Sequence, residues 1–338
     1  MSSSIFNSDA VAWFGQMTRR DRLWAALVLL CGLVAVFVVA LALRDYVKPD
    51  NEHTRALATI TPRTQVVFLG SSHVLAGVDA ASMQTPAVNL SGAAHDPTCM
   101  RAVFAGNLPR LPGLKTVFVE VDPYFLQANS VHHFNGDYRR IFDLDAEVSA
   151  LNVERADRLR VVYHHGWYRS MFWPLVAFQK PSPRRLVWGT EEGEMLPGFM
   201  RRDLREDLAA HAAARFKEHG GNAELANVPR NREALQLLVH DAKAAGARII
   251  LLRMPIHISY RRLVPDAWNQ LTEDTLAQLR SELGADSFEW WDFNALIEWS
   301  DEDFSDSDHL HITGAAKLTR YIDERLKQGA APSPGPAD

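Results

Sequence analysis

Cysteine is almost absent from this chain. Cys31 and Cys99 are the only two in 338 residues, and Cys31 lies inside the longest apolar run, so no intramolecular disulfide framework is available. That scarcity leaves the redox compartment open, because a chain of this length can bury a core without covalent staples. Charge of one sign is also lacking. Lys and Arg total 36 against 41 Asp and Glu, a formal net charge of −5, which removes the basic footprint that nucleic-acid binding requires. There is no internal repeat, and low complexity is confined to residues 330–338, which read as a disordered tail. What is there is a globular composition, 47% hydrophobic and 23% charged, enough for one large domain or two small ones.

Leu23 to Leu43 is an uninterrupted apolar run, long enough as a helix to cross a hydrocarbon layer of about 30 Å. A cleavable signal peptide fits less well, since the run exceeds a usual h-region and LALRDYVKPD offers no small-x-small site. Arg19, Arg20 and Arg22 precede the run, while Arg44 and Asp45 cancel after it. By the positive-inside rule residues 1–22 stay cytoplasmic, 23–43 span the membrane, and the rest is exported. In a bacterium that places a periplasmic domain on the cytoplasmic membrane. Residues 44–62, polar and punctuated by prolines, read as a stalk.

Residues 63–329 then read as one domain. Short apolar runs at Gln65–Leu69, Ala87–Leu90, Thr116–Val121, Arg248–Arg253 and Phe288–Asp292 suit buried parallel strands. Helical patterns alternate with them, notably Arg232–Ala245, closed by Gly246. The expected fold is α/β, a doubly wound parallel sheet. Residues 125–231 interrupt the alternation as a helical insertion, either a scaffolding cap or a substrate lid, with a polar helix around Arg201 to Glu218.

The chemistry collects at strand ends. FLGSSHVLAG places a Gly-x-Ser where the first strand turns into a helix, exposing a hydroxyl at the carboxyl edge beside unpaired N–H groups. VNLSGAA puts Gly92 at the same edge after the second strand, where backbone can approach a ligand and donate to an oxyanion. After the fifth strand comes FSDSDHLHITGAAKL. Asp306 can orient the His309 imidazole as base for a serine, and Asp308 with His311 repeats the spacing.

These three blocks resemble the SGNH (GDSL-type) hydrolase superfamily over roughly residues 64–329 without the insertion. The resemblance implies a flavodoxin-like three-layer sandwich. It makes Ser72, rather than Ser71, the nucleophile, Asp306 and His309 the acid and base, with Gly314 five residues beyond, and Gly92 in Asn89-Leu90-Ser91-Gly92 an oxyanion donor. One block departs: Val119-Glu120-Val121-Asp122-Pro123-Tyr124 stands where the family carries Gly-x-Asn-Asp, so a donor is missing or supplied from elsewhere. With the anchor and insertion, the chain is similar to exported members linked to polysaccharide O-acetylation, of the alginate O-acetylation and DltD-like kinds.

The resemblance implies a membrane-anchored serine O-acyltransferase or esterase acting on acyl, foremost acetyl, groups of an exopolysaccharide or envelope glycan. An integral membrane O-acyltransferase is the implied donor partner. The alternative is a non-catalytic accessory protein that binds glycan or docks that enzyme. Asn89 and Arg253 are expected to contact substrate, with His257 beside Arg253 at the fourth strand's end. His73 is expected to have a local structural role, and Cys99 to be a buried apolar residue. Trp167, Trp173 and Trp188 are read as core anchors, with stacking on sugar rings the alternative. His132, His133, His164 and His165 complete no recognised ligand set, so neither metal nor cofactor is expected.

Overall fold

The computed structural model describes residues 18–44, 52–92, 95–128 and 207–328. The insertion's His132, His133, His164, His165, Trp167, Trp173 and Trp188, and the expected tail, lie outside the described residues. The chain divides into two compact units.

In the first unit, helix α1 spans Arg19–Arg44. Thr18 begins it, its Oγ1 accepting the Asp21 N–H. Leu23, Trp24, Val28 and Leu29 are exposed. Among the described residues no helix is long and apolar enough to cross a membrane, although the α1 backbone covers the whole apolar run of the sequence.

The second unit opens with α2, Glu52–Thr59, inside the segment expected to be a stalk. Leu57 is buried in the core, with Ala56 and Ile60 packed beside it, so apolar side chains tie this stretch to the domain. Five strands follow: β1 Val66–Leu69, β2 Ala87–Asn89, β3 Thr116–Glu120, β4 Arg248–Arg253 and β5 Glu289–Asp292. All pair in parallel, in the order β2-β1-β3-β4-β5, the doubly wound order of flavodoxin-like sheets.

Side chains alternate between the two faces of a parallel sheet covered on both, so the strand centres are apolar on both sides. Val67, Leu69, Val117, Val119, Ile249 and Leu251 face one core. It is closed by α4 Pro97–Asn107, α7 Val228–Ala244 and α8 Asp266–Leu283. Val66, Phe68, Phe118, Ile250, Leu252 and Trp291 face the other, closed by α3 Ser72–Gly77 and α9 Ile312–Lys327. The result is three layers.

Between β3 and β4 come α5 Pro123–Gln127, the residues outside the description, α6 Leu208–Asn222 and then α7. α7 starts at Val228, where Pro229 suits a helix's first turn, and its Leu235, Leu238, Val239 and Ala242 are core. The strand order reverses between β1 and β3, the switch point at whose carboxyl edge open α/β sheets place their ligands.

Candidate active site

The first strand delivers Ser72 to this edge. At Gly70 the chain leaves β1 for α3, and a Cβ there would stand 2.3 Å from Val74 Cγ2 and 2.7 Å from Glu120 Oε2, so only glycine fits without moving its neighbours. Ser71 caps α3, its Oγ accepting the His73 N–H at 3.1 Å. Ser72 thereby sits at the first helical position, where its N–H has no intrahelical acceptor.

The second contribution comes from the loop between β5 and α9. Asp306 Oδ1 accepts the N–H groups of Asp308 (3.1 Å) and His309 (2.9 Å), folding the loop on itself. The same carboxylate holds His309 Nδ1 at 2.9 and 3.2 Å, and His309 Nε2 reaches Ser72 Oγ at 2.9 Å. Carboxylate, imidazole and hydroxyl thus touch in order, across 237 residues of sequence between Ser72 and His309. All three are buried. Burial opposes charge on Asp306, but the hydrogen bond and attraction of His309 hold its carboxyl below the usual range. The shifted register is not formed: His311 starts α9, 3.2 Å from Thr313 Oγ1, and Asp308 turns elsewhere.

Asp308 anchors a second network. Arg215, from α6, grips it with Nε at 3.0 Å and Nη2 at 2.9 Å. His73 Nε2 stands 3.5 Å away, an ion-pair separation, while its Nδ1 lies 2.9 Å from Glu120 Oε1. Glu120 Oε2 in turn accepts the Ser71 N–H at 2.6 Å. Burial works against an imidazolium at position 73, yet Asp308 and Glu120 outweigh it and raise its pKa to about 10. His73 is therefore a buried cation between two loops, more than the local support expected of it. Nearby, burial lowers His219 to about 3, and this neutral ring stacks on Tyr124 at 4.1 Å and bonds Tyr260.

Two of the expected contact residues are committed elsewhere. Asn89 donates to the carbonyls of Val74 (2.9 Å) and Val78 (3.0 Å) and accepts the Ser91 N–H, so its amide fastens α3 and offers nothing to substrate. The Gly92 N–H donates to the Gly70 carbonyl at 3.1 Å and is not free for an oxyanion. The causes differ: Asn89 is held by α3 and its C-terminal end, while Gly92 is held by the end of β1. The Ser72 N–H remains as a donor, and the Ser91 hydroxyl is buried without a hydrogen-bond partner at the same edge. Ala93 and Ala94 lie outside the described residues.

In the departing block, Asp122 caps α5 by accepting the Tyr124 N–H at 2.8 Å, and burial pushes its carboxyl upward. Arg253 lies 3.3 Å from Asp292 and over the Trp290 ring. It lines a cavity of about 350 Å³ with Asp122, Tyr124, Tyr260, Trp268 and Asn269, a size suited to a small-molecule site. His257 starts a helical turn and pairs with Asp301 at 3.0 Å. Cys99 is buried, as expected.

His73, Asp308 and His309 form one group close enough to share a metal ion, and His211, Asp306 and Asp308 another. Both share Asp308, which Arg215 already neutralises, so a cation would have to displace the guanidinium. Sequence reading did not foresee this clustering.

No family model and no curated protein matches the sequence. Solved structures similar to it include a GDSL-like lipase from Bacteroides thetaiotaomicron, with TM-score 0.40 and 9% identity over 82% of this chain and 98% of that one. A lipase/acylhydrolase from Enterococcus faecalis gives TM-score 0.36 and 10% identity over 80% and 100%. Likeness of this degree concerns outline; the chemistry rests on the side chains themselves.

Proposed function

We propose that this chain is an SGNH-type serine esterase that passes an acyl group through Ser72. The observation that carries the reading is the unbroken relay Asp306–His309–Ser72, with 2.9 Å at each junction. Ser72 Oγ attacks the acyl carbonyl carbon as His309 Nε2 takes its proton. Asp306 keeps the remaining proton on Nδ1 and stabilises the imidazolium. The Ser72 N–H donates to the developing oxyanion. His309 then returns its proton to the leaving oxygen, and a second hydroxyl, activated by the same imidazole, discharges the acyl-serine.

The finer reading is an O-acyltransferase or esterase for acyl groups, foremost acetyl, of an exopolysaccharide or envelope glycan. It is held by the apolar run of residues 23–43 in a bacterial cytoplasmic membrane with the catalytic domain outside, and fed by an integral membrane O-acyltransferase. The apolar run behind Arg19, Arg20 and Arg22 supports the anchor. The cavity beside Arg253, with an indole wall and carboxylate and amide groups, supports a polyhydroxylated acceptor. A non-catalytic glycan-binding or docking role is favoured by one observation, the engaged Gly92 N–H in a chain lacking the third-block asparagine.

Labelling with a fluorophosphonate separates the two. The wild type is expected to be labelled at Ser72 and to hydrolyse an activated acetyl ester, with Ser72→Ala losing both by about 10³-fold or more. An unlabelled wild type would favour the binding role. In cells, Ser72→Ala that depletes polymer acetyl groups marks a transferase; a surplus marks an esterase.

A further inference from the structure

We infer that Arg215, acting with His73, is a positioning residue that neutralises Asp308, so that Asp306 alone sets the charge felt by the His309 imidazole. The inference rests on the serine reading above and deepens it.

Two buried carboxylates crowd the same ring nitrogen. Asp306 Oδ1 lies 2.9 Å from His309 Nδ1, and Asp308 Oδ1 lies 3.6 Å from it. A base between two uncompensated carboxylates would bind its proton too tightly to give it back to a leaving group. Asp308 is relieved of that influence from both sides. Arg215 supplies a bifurcated grip from α6, 93 residues earlier in the chain, and His73 faces the same carboxylate oxygen from the helix that carries the nucleophile. Glu120 completes the chain by holding His73 and the Ser71 N–H together. The charge that neutralises Asp308 is thus attached to both flanks of Ser72.

Titratable groups face this pair from each element packed against it. Asp306 lies on its own loop, Ser72 and His73 on α3, and Glu120 and Asp122 at the end of β3. His211, Arg215, Glu218 and His219 come from α6, Glu218 bonding Arg215 Nη1 at 2.8 Å, and Tyr260 from the segment after β4. His219 is held neutral by burial and Tyr260 is kept from ionising, so Arg215 and His73 are the cations of the set.

The test follows inactivation of the full-length protein in detergent by a fluorophosphonate across pH, together with NMR titration of the His309 ring. Arg215→Gln is expected to move the acidic limb of the inactivation profile, and the His309 resonance, about one pH unit higher. Arg215→Lys should restore most of the wild-type position. Asp308→Asn placed on Arg215→Gln should abolish the displacement. Asp308→Asn alone removes one negative charge while Arg215 keeps Glu218 and His73 keeps Glu120, and should move the limb lower, which scores the inference even where Arg215→Gln does not fold. A limb that changes in height without moving, or a displacement that persists when Arg215→Gln and Asp308→Asn are combined, would overturn it. If the wild type is not labelled, the serine reading fails, while the resonance still reports on the charge balance.

Discussion

The nucleophile turn, residues 70–73, and the acid–base loop, residues 303–311, bring their side chains to one point by different means. In the turn, regular structure does the placing: a buried strand ends, Gly70 allows the sharp exit, and the first turn of α3 presents Ser72. The loop has no helix or strand at its centre. Its shape comes from the Asp306 carboxylate accepting two backbone N–H groups, from Ser305 and His311 bonding back to His309 and Asp303, and from the bridge of Phe304 with Leu310. The difference teaches that a nucleophile can be separated from its scaffold, whereas Asp306 both folds the loop and orients the imidazole.

Asp306→Asn separates those two duties and should have the largest effect. The amide oxygen can still accept the Asp308 and His309 N–H groups, but the negative charge is gone. A fall in kcat/KM of about 10⁴ is expected with little change in thermal melting; a melting loss to match would mean the charge itself folds the loop. Next come two glycines, one in the turn and one in the first turn of α9, just beyond the loop. A Cβ on Gly314 would meet the Asp303 carbonyl oxygen at 2.2 Å, a backbone atom, whereas that on Gly70 meets side-chain atoms, Val74 Cγ2 at 2.3 Å and Glu120 Oε2 at 2.7 Å. Urea unfolding should show Gly314→Ala costing about 3 kcal/mol and Gly70→Ala about 1–2 kcal/mol. Equal costs would erase the distinction between a rigid loop and a turn that can adjust.

The last test concerns the His73 link between the regions. Its pKa rises from 6.5 to about 10 on folding, so below pH 6.5 both states hold the proton and the stabilisation is complete. Above that the unfolded chain releases its proton first, and the contribution is lost by about pH 10. The urea midpoint should therefore fall across this window in the wild type and stay flatter in His73→Gln.

Much of this was legible in the sequence. Runs such as VVFL and RIILLR announce strands because both sheet faces are covered, and Ser72 follows from the end of the first, while Asp306 and His309 are marked by their three-residue spacing after the fifth strand. Asn89 and Gly92 misled because their position at the edge is visible, but their bonding to Val74, Val78 and Gly70 is not. Arg215 was invisible for a different reason: a buried ion pair across 93 residues leaves no local pattern, and its helix adjoins the segment that departs from the alternation. Glu120 did leave a trace, a carboxylate ending the otherwise apolar TVFVE. A charge in a strand with every residue buried asks for a partner, and His73 supplies it.

The packed helix α2 bears on how the domain can be held. Arg110, just ahead of β3, donates to the Leu57 carbonyl, and a Cβ on Gly113 would strike the Pro62 carbonyl. The incoming polypeptide is thus moored at the rim where the strands begin, a full strand length from Ser72. Tension arriving through the residues before Glu52 would be borne at that rim rather than at the edge that carries Ser72.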